Sequence, residues 1–193
     1  IDLTYNDIGP KGAIALAHAL RDSGIRDLLL SCNNIGPDAT QYLARVLSEG
    51  STCLKALDLS KNNIGDTGVT ALAKALPHTG LEELSLDLNR ITEVGVVEIC
   101  KAVKSTPTLV NLSLGANNLT NASAEKLAEL IRSHPLRKLN LNLNDFTNDG
   151  IFYLAEAIAE SVTLEHCSLK QNRRITDLSA EVSSYTTSLV TSF

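Results

Sequence analysis

The sequence contains no tryptophan and no methionine, and aromatic residues make up only 4% of its 193 residues. It has few of the aromatic side chains that dominate tight protein interfaces. No apolar run reaches the roughly 18 residues that a membrane-spanning helix needs, and no signal peptide is visible at the start. Because the chain begins at Ile1 without a methionine, we expect it to be a fragment or a processed product.

Positive charge is also scarce. Lysine and arginine together number 17 against 22 aspartates and glutamates, which gives a formal net charge of −5. Proteins that bind nucleic acid through its phosphates need a basic face. We therefore expect a protein rather than a nucleic acid as the partner.

The cysteines and histidines form no recognisable site. The four cysteines (Cys32, Cys53, Cys100 and Cys167) include no C-x-x-C pair, and the four histidines stand far apart. A disulfide framework or a zinc site uses closer, paired spacings, so we expect four free thiols in a reducing, cytoplasmic setting. No nucleophile signature and no glycine-rich phosphate loop is present. We predict no enzyme activity, no catalytic residue, no cofactor and no metal.

The dominant feature of the sequence is a repeated motif of leucines and asparagine. The central copies follow Leu-x-x-Leu-x-Leu-x-x-Asn, as in Leu81, Leu84, Leu86 and Asn89, and an apolar residue such as Ile91 comes two positions later. The last copy has Cys167 in place of its second leucine. The steps between successive asparagines are 27 to 29 residues. A fixed period of this length is the signature of a repeat architecture. The seven asparagines that mark the copies are Asn6, Asn33, Asn62, Asn89, Asn117, Asn144 and Asn172.

This pattern resembles the leucine-rich repeat family. The second half of each copy, as in the run from Ile64 through Gly68 to Leu76, resembles the ribonuclease-inhibitor subclass, which also occurs in NOD-like receptors and the Ran GTPase-activating protein. The resemblance covers residues 1–172. It implies an α/β fold: a right-handed solenoid, or horseshoe, with parallel strands on the concave face and helices on the convex face.

The residues themselves support this architecture. Each leucine run predicts a short strand, such as the one at residues 83–86, and each following apolar stripe predicts a helix, such as the one at about residues 93–104. Parallel strands lie about 4.8 Å apart and packed helices about 8–10 Å apart, so helices on one side bend the array into an arc. We expect about seven strands, with the asparagine amides bonding backbone groups of the turns. Residues 173–193, where the pattern slips, are expected to form a helical cap.

Side chains between the strand leucines must face the hollow of the arc. Their charge is graded: acids dominate the first four copies, whereas lysine and histidine occupy the last two. An acidic half of the hollow suits a partner with a basic surface, and the alternative is a strand face kept polar for solubility. The candidate partner-binding residues are Asp2, Tyr5, Asp27, Leu29, Asp58, Lys61, Glu83, Asp87, Lys138, Asn142, His166 and Lys170.

These observations predict a monomeric protein-protein interaction module that binds its partner in the concave face. One alternative is a regulator of a partner enzyme, as the Ran GTPase-activating protein is. That family carries a strongly acidic tail, whereas residues 173–193 contain only Asp177 and Glu181 as acids. The other alternative is a pathogen effector that acts inside a host cell.

Overall fold

Strand and helix alternate along the chain in the computed structural model, which describes residues 1–50 and 52–175. The strands are β1 (Asp27–Leu29), β2 (Ala56–Asp58), β3 (Glu83–Ser85), β4 (Asn111–Ser113), β5 (Lys138–Asn140) and β6 (His166–Ser168). The helices are α1 (Gly9–Leu20), α2 (Gly36–Ser48), α3 (Gly65–Ala75), α4 (Glu93–Lys104), α5 (Asn121–Ser133) and α6 (Asn148–Glu160). A short 3₁₀ turn at Leu76–His78 follows α3.

The six strands form one parallel sheet in chain order, and one helix connects each strand to the next. This confirms the α/β solenoid. Of the about seven strands expected, six form among the described residues, and the first copy contributes an isolated bridge between Asp2 and Leu29. That bridge still extends the ladder: the Leu3 N–H donates to the Leu29 carbonyl at 2.9 Å.

The core fills the space between the sheet and the helices. Strands β1 to β5 each bury their central leucine and a second leucine just after the strand. In β6 the central residue is the half-buried Cys167. Burying one such side chain contributes about 1.5–3 kcal/mol. In the central copies the eight leucines Leu57, Leu59, Leu84, Leu86, Leu112, Leu114, Leu139 and Leu141 are all at most 2% exposed, as the pattern predicted.

The repeated asparagines form a buried hydrogen-bonded ladder. The Asn62 Oδ1 accepts from the backbone N–H groups of Asn33 at 3.0 Å and Ile35 at 3.3 Å. Its Nδ2 donates to the carbonyls of Leu30 and Leu59. The predicted bonding of turn backbone by asparagine is thus confirmed, with the addition that each amide joins two neighbouring copies. The other asparagines with the same cross-repeat bonds are Asn33, Asn89, Asn117, Asn144 and Asn172.

The helices begin in two different ways. In the copies of Asn6, Asn33 and Asn62, called the front repeats below, the first helical residue is a glycine with positive φ, and no side chain caps the helix. In the copies of Asn89, Asn117 and Asn144, called the rear repeats, the helix follows an extended threonine. The glycines are Gly9, Gly36 and Gly65, and the threonines are Thr92, Thr120 and Thr147.

Two of the rear helices are held by a side chain from the preceding helix. The Asp66 carboxylate accepts from the backbone N–H of Thr92 at 2.9 Å, the Thr92 hydroxyl at 2.7 Å and the Gly95 N–H at 3.1 Å. Asn121 holds Thr147 in the same way, through its Oδ1 and its Nδ2. A carboxylate at a helix N-terminus also meets the positive end of the helix dipole.

The C-terminal cap predicted for residues 173–193 lies outside the described residues from 176 onward. The last described pairing is a parallel bridge between Thr147 and Arg174. Within residues 1–50 and 52–175, no helix has the length and apolar character needed to cross a membrane.

Candidate partner-binding surface

The strand register arranges the outward-facing side chains into two straight rows across the sheet. The first row runs Asp27, Ala56, Glu83, Asn111, Lys138 and His166. The second runs Leu29, Asp58, Ser85, Ser113, Asn140 and Ser168, and Asp2 pairs with Leu29 at its start. The first row therefore changes from carboxylate through amide to cation, the graded order that the sequence indicated.

The carboxylates at the front of this face differ in how firmly they are held. Asp27 and Glu83 are exposed, and Asp58 is half-buried with its Oδ1 accepting from the Ser60 N–H at 2.8 Å. Asp2 is exposed, and its hydrogen bonds with Thr4 lower the pKa of the carboxyl. Glu83 accepts from the Asn111 amide at 2.8 Å. A partner could approach all four from the open side of the sheet.

Asp87 differs from the other carboxylates because its side chain is hydrogen-bonded to residues of the neighbouring copies. Its Oδ1 accepts from the Ser113 hydroxyl and from the Gly115 N–H, both at 2.6 Å, and its Oδ2 accepts from the Asn140 amide at 3.3 Å. Burial raises the pKa of Asp87, these hydrogen bonds oppose the rise, and nearby Asp58 adds to it. Asp87 thus joins three copies and offers less free charge than its position in the sequence suggested.

Asn142 has the same role two copies later. Its Oδ1 accepts from the Ser168 hydroxyl and from the Lys170 N–H, both at 2.6 Å. The side chains of Lys138, His166 and Lys170 are exposed around it. A shallow hollow of about 310 Å³, lined in part by Glu83, Asn111, Lys138 and His166, marks the middle of the face.

Along one edge of this face lies a row of left-handed residues, called the left-handed row below. Each stands immediately before a ladder asparagine and has φ between 50° and 61°. Its members are Tyr5, Cys32, Lys61, Leu88, Ala116, Leu143 and Gln171. The Lys61 ammonium lies 5.5 Å from the centre of the Tyr5 ring, a cation–π distance.

The sequence identified Tyr5 and Lys61 as candidates but missed two neighbours. Leu88 and Arg90 flank Asn89 and line a second cavity of about 400 Å³ together with Tyr5 and Lys61. The signal that could have found Arg90 is its place directly after a ladder asparagine. Left-handed residues stand at this place in the first four copies, namely Asp7, Asn34, Asn63 and Arg90.

The ion pairs lie elsewhere. In the part of the chain that the structure describes, each one joins residues of the helices or of the segments that lead into strands, and none uses the candidate residues of the strand face. Several link neighbouring copies, such as Arg21 with Glu49 at 2.8 Å and Arg137 with Glu165 at 2.7 Å. Seven of the 17 lysines and arginines take part in these pairs, so the lack of an ion pair is not confined to the strand face.

The ionisable side chains of the described residues determine whether a metal site or a reactive thiol can form. They include no group of three or more histidine, cysteine, aspartate or glutamate side chains that could hold a metal ion. Burial raises the pKa of Cys100 and of Cys167 to about 12 in each case. A thiol with such a pKa stays protonated near neutral pH and is a weak nucleophile.

Comparison with known proteins agrees with the repeat geometry. The family model described as "Leucine Rich repeat" matches residues 1–17, 50–73, 79–100 and 132–155. The chain is a leucine-rich repeat protein. Among solved structures, it is similar to actin-binding site 2 of leiomodin-1, with a TM-score of 0.64 and 13% identity over 75% of this chain and 83% of that one. The tropomodulin C-terminal domain of Caenorhabditis elegans gives a TM-score of 0.61 at 19% identity, covering 75% of this chain and 89% of that one. At such identities, these likenesses concern the fold alone.

The curated relatives of this leucine-rich repeat protein are much longer. Human NACHT, LRR and PYD domains-containing protein 12 is 29% identical over 178 residues, which cover 88% of this chain and 14% of the relative. Mouse protein 9B of the same name is 32% identical over 88% of this chain and 17% of its own length. The protein phosphatase 1 regulatory subunit 37 homolog of Caenorhabditis briggsae is 29% identical over 73% of this chain and 13% of its own length. These matches confirm the resemblance to NOD-like receptor repeats, and the chain spans less than a fifth of each relative.

Proposed function

We propose that this leucine-rich repeat protein binds a partner protein with a basic surface in its concave strand face. The observation that carries the proposal is the grouping of three carboxylates on adjacent strands, at one end of the strand face. Within the described residues, the ion pairs involve helices and strand approaches, whereas Asp27, Asp58 and Glu83 face the hollow without a cation. Opposed charges across an interface steer a partner toward its site and fix its orientation.

The spacing of these carboxylates favours a cationic partner. Asp27, Asp58 and Glu83 come from three adjacent strands, so the outer two are about 10 Å apart at the usual strand spacing. Screening is only partial over such a distance at physiological salt, where the Debye length is about 8 Å. The three charges therefore repel one another, and a lysine or arginine of the partner relieves that repulsion.

The names of two similar proteins support a binding role. One relative is called a regulatory subunit of a phosphatase, and one structural neighbour is called an actin-binding site. We accordingly propose a cytoplasmic, monomeric binding module that needs no metal or cofactor. The relatives reported above are animal proteins and lend no support to the effector alternative.

The test uses a double variant, Asp58→Asn with Glu83→Gln, which removes two charges and keeps the side-chain shapes. Asp87 is left intact because its carboxylate holds the sheet together. A partner is captured from source cells and identified, and its association rate constant is then measured by biolayer interferometry at several salt concentrations. We expect the variant to associate about 3–10-fold more slowly and to show a weaker salt dependence.

The control is Lys74→Gln, on the exposed side of α3. This change should leave the association rate unaltered. If the double variant binds normally and Lys74→Gln loses binding, the partner sits on the convex face and the proposal fails.

The alternative of a partner-enzyme regulator is favoured by one finding, the match to the phosphatase regulatory subunit homolog. It is tested by adding the purified chain to the catalytic subunit of protein phosphatase 1. Binding with an altered rate of substrate dephosphorylation supports it, and an unchanged rate with no binding rejects it.

A further inference from the structure

The left-handed row carries side chains that its backbone disfavours. Left-handed φ is tolerated best by glycine, asparagine and aspartate, because other side chains crowd the following carbonyl. The positions directly after the ladder asparagines obey this preference in the front repeats, with Asp7, Asn34 and Asn63. The positions directly before the asparagines do not follow this preference, since Tyr5 and Leu88 both have φ near 60°.

The core does not explain these residues either. The Tyr5 side chain is 73% exposed and that of Leu88 is 53% exposed. The fold requires the left-handed backbone at these positions, and asparagine would satisfy it at lower cost. An observed backbone outlier of this kind is grounds for a functional hypothesis.

Two cations complete the surface. Lys61 lies between Tyr5 and Leu88 in the row, and Arg90 follows two residues after Leu88. In residues 1–50 and 52–175, neither Lys61 nor Arg90 takes part in an ion pair. What distinguishes these two cations is their position beside the exposed Tyr5 and Leu88 side chains. The cavity of about 400 Å³ opens between these side chains.

The Tyr5 ring lies beside two other side chains of the row. Interaction with the neighbouring Cys32 thiol raises the pKa of the Tyr5 hydroxyl. The Lys61 ammonium lies 5.5 Å from the centre of the ring. The cavity is therefore bordered by an aromatic ring next to a cation.

We propose that this edge of the front repeats binds an acidic segment of a partner protein, in which a carboxylate lies beside a large apolar side chain. The apolar side chain enters the cavity against Tyr5 and Leu88, and the carboxylate pairs with Lys61 or Arg90. Arginine can hold a carboxylate through two parallel hydrogen bonds. The site goes beyond the proposed function, because its charge is opposite to that of the acidic strand face.

The test begins with a displayed library of random dodecapeptides selected on the purified chain. We expect enrichment of sequences that place Asp or Glu next to Leu, Ile or Phe. The strongest sequences are synthesised with a fluorescent label, and their affinities are measured by anisotropy. The double variant Lys61→Gln with Arg90→Gln should weaken binding at least about tenfold, as should Leu88→Asn.

Leu88→Asn separates binding from folding. Asparagine tolerates the left-handed backbone better than leucine does, so the thermal midpoint should stay the same or rise while affinity falls. The matched control is Leu143→Asn, at the same position of the row in a rear repeat without neighbouring cations in the row. It should leave peptide affinity unchanged.

Three results would overturn the proposal: no enrichment of acidic-apolar sequences, full affinity in the Lys61 and Arg90 variant, or equal losses in Leu88→Asn and Leu143→Asn. The Asp58→Asn with Glu83→Gln variant tells the two sites apart. It should keep or improve binding of an acidic peptide, because it removes neighbouring negative charge. A loss in that variant would move the peptide to the strand face and away from this edge.

Discussion

Front and rear repeats share one period and one core, but the turn that leads into the helix is hydrogen-bonded differently in the two groups. In the front repeats, the glycine N–H that opens each helix donates to the carbonyl of the next ladder asparagine, as Gly36 does to Asn62 at 2.9 Å. In the copies of Asn117 and Asn144, the residue after the ladder asparagine bonds to the preceding copy instead. The Asn118 N–H, for example, donates to the Ile91 carbonyl at 2.8 Å. The front turns depend on glycine residues that can adopt positive φ. Two of the rear helices depend on a side chain from the preceding helix.

The copy of Asn89 combines both solutions. Arg90 keeps the left-handed turn of the front repeats, with φ at 60°. Thr92 already has the extended conformation of the rear repeats and is bonded by Asp66. The turn and the helix start can therefore change independently, and the junction between the two halves lies inside this single copy.

The largest expected effect is at the junction asparagine. Asn89→Ala removes the acceptor for the Asn62 and Ile64 N–H groups and the donor to two carbonyls, all buried or half-buried. Each unsatisfied buried group costs about 1–3 kcal/mol, so losing the partners of four groups should lower the free energy of unfolding by about 4 kcal/mol or more. Urea denaturation followed by circular dichroism measures it.

Asn6→Ala is the matched control for that measurement. Asn6 is exposed, and its amide donates only to the Thr4 carbonyl, so the loss should stay below about 1 kcal/mol. If both variants lost a similar free energy of unfolding, the hydrogen bonds of the ladder would contribute little to stability.

A smaller effect is expected where a side chain holds a rear helix. Asp66→Ala frees the Thr92 and Gly95 N–H groups at the start of α4. Loss of a charged helix cap should lower the free energy of unfolding by about 2 kcal/mol. The front counterpart Asp38→Ala, in the exposed first turn of α2, should cost about 0.5 kcal/mol from the helix dipole alone. Equal costs in the same denaturation assay would remove the distinction between the two helix starts.

The smallest effect tests the glycine starts. Gly36 has φ of +73°, and a Cβ built there meets no atom within 4 Å. Gly36→Ala should therefore cost about 1–2 kcal/mol through backbone conformation alone. Gly24→Ala has equally open space without the positive φ and should be neutral or raise the thermal midpoint slightly. A neutral Gly36→Ala would mean that the front turns do not need glycine.

The sequence predicted the repeat, the strand leucines and the order of charges because these follow a strict period. Position within the repeat decides which way a side chain points, so Asp27, Glu83, Lys138 and His166 could be placed before the structure was known. The first copy differs from the others, because Asp2 forms an isolated bridge with Leu29 and no full strand.

Contacts between copies could not be predicted from one copy of the pattern. Asp87 appears in the sequence as another free acid of the hollow, yet it bonds Ser113 and Gly115 of the next copy and Asn140 beyond. Leu88 and Arg90 escaped notice as a pair because the significance of their positions depends on left-handed φ values. The sign of φ is set by the geometry of the whole turn, and the amino-acid composition does not reveal it.

The asparagine ladder has a direction, and that direction has a mechanical consequence. Each Oδ1 accepts N–H groups of the copy before it, as Asn144 does from Asn117 and Leu119. Under tension, a break between these two copies therefore leaves two bare N–H donors on the preceding copy, whereas the following copy keeps an unpaired Oδ1 and loses one partner of its Nδ2. The two faces opened by such a break thus differ in their hydrogen-bonding chemistry.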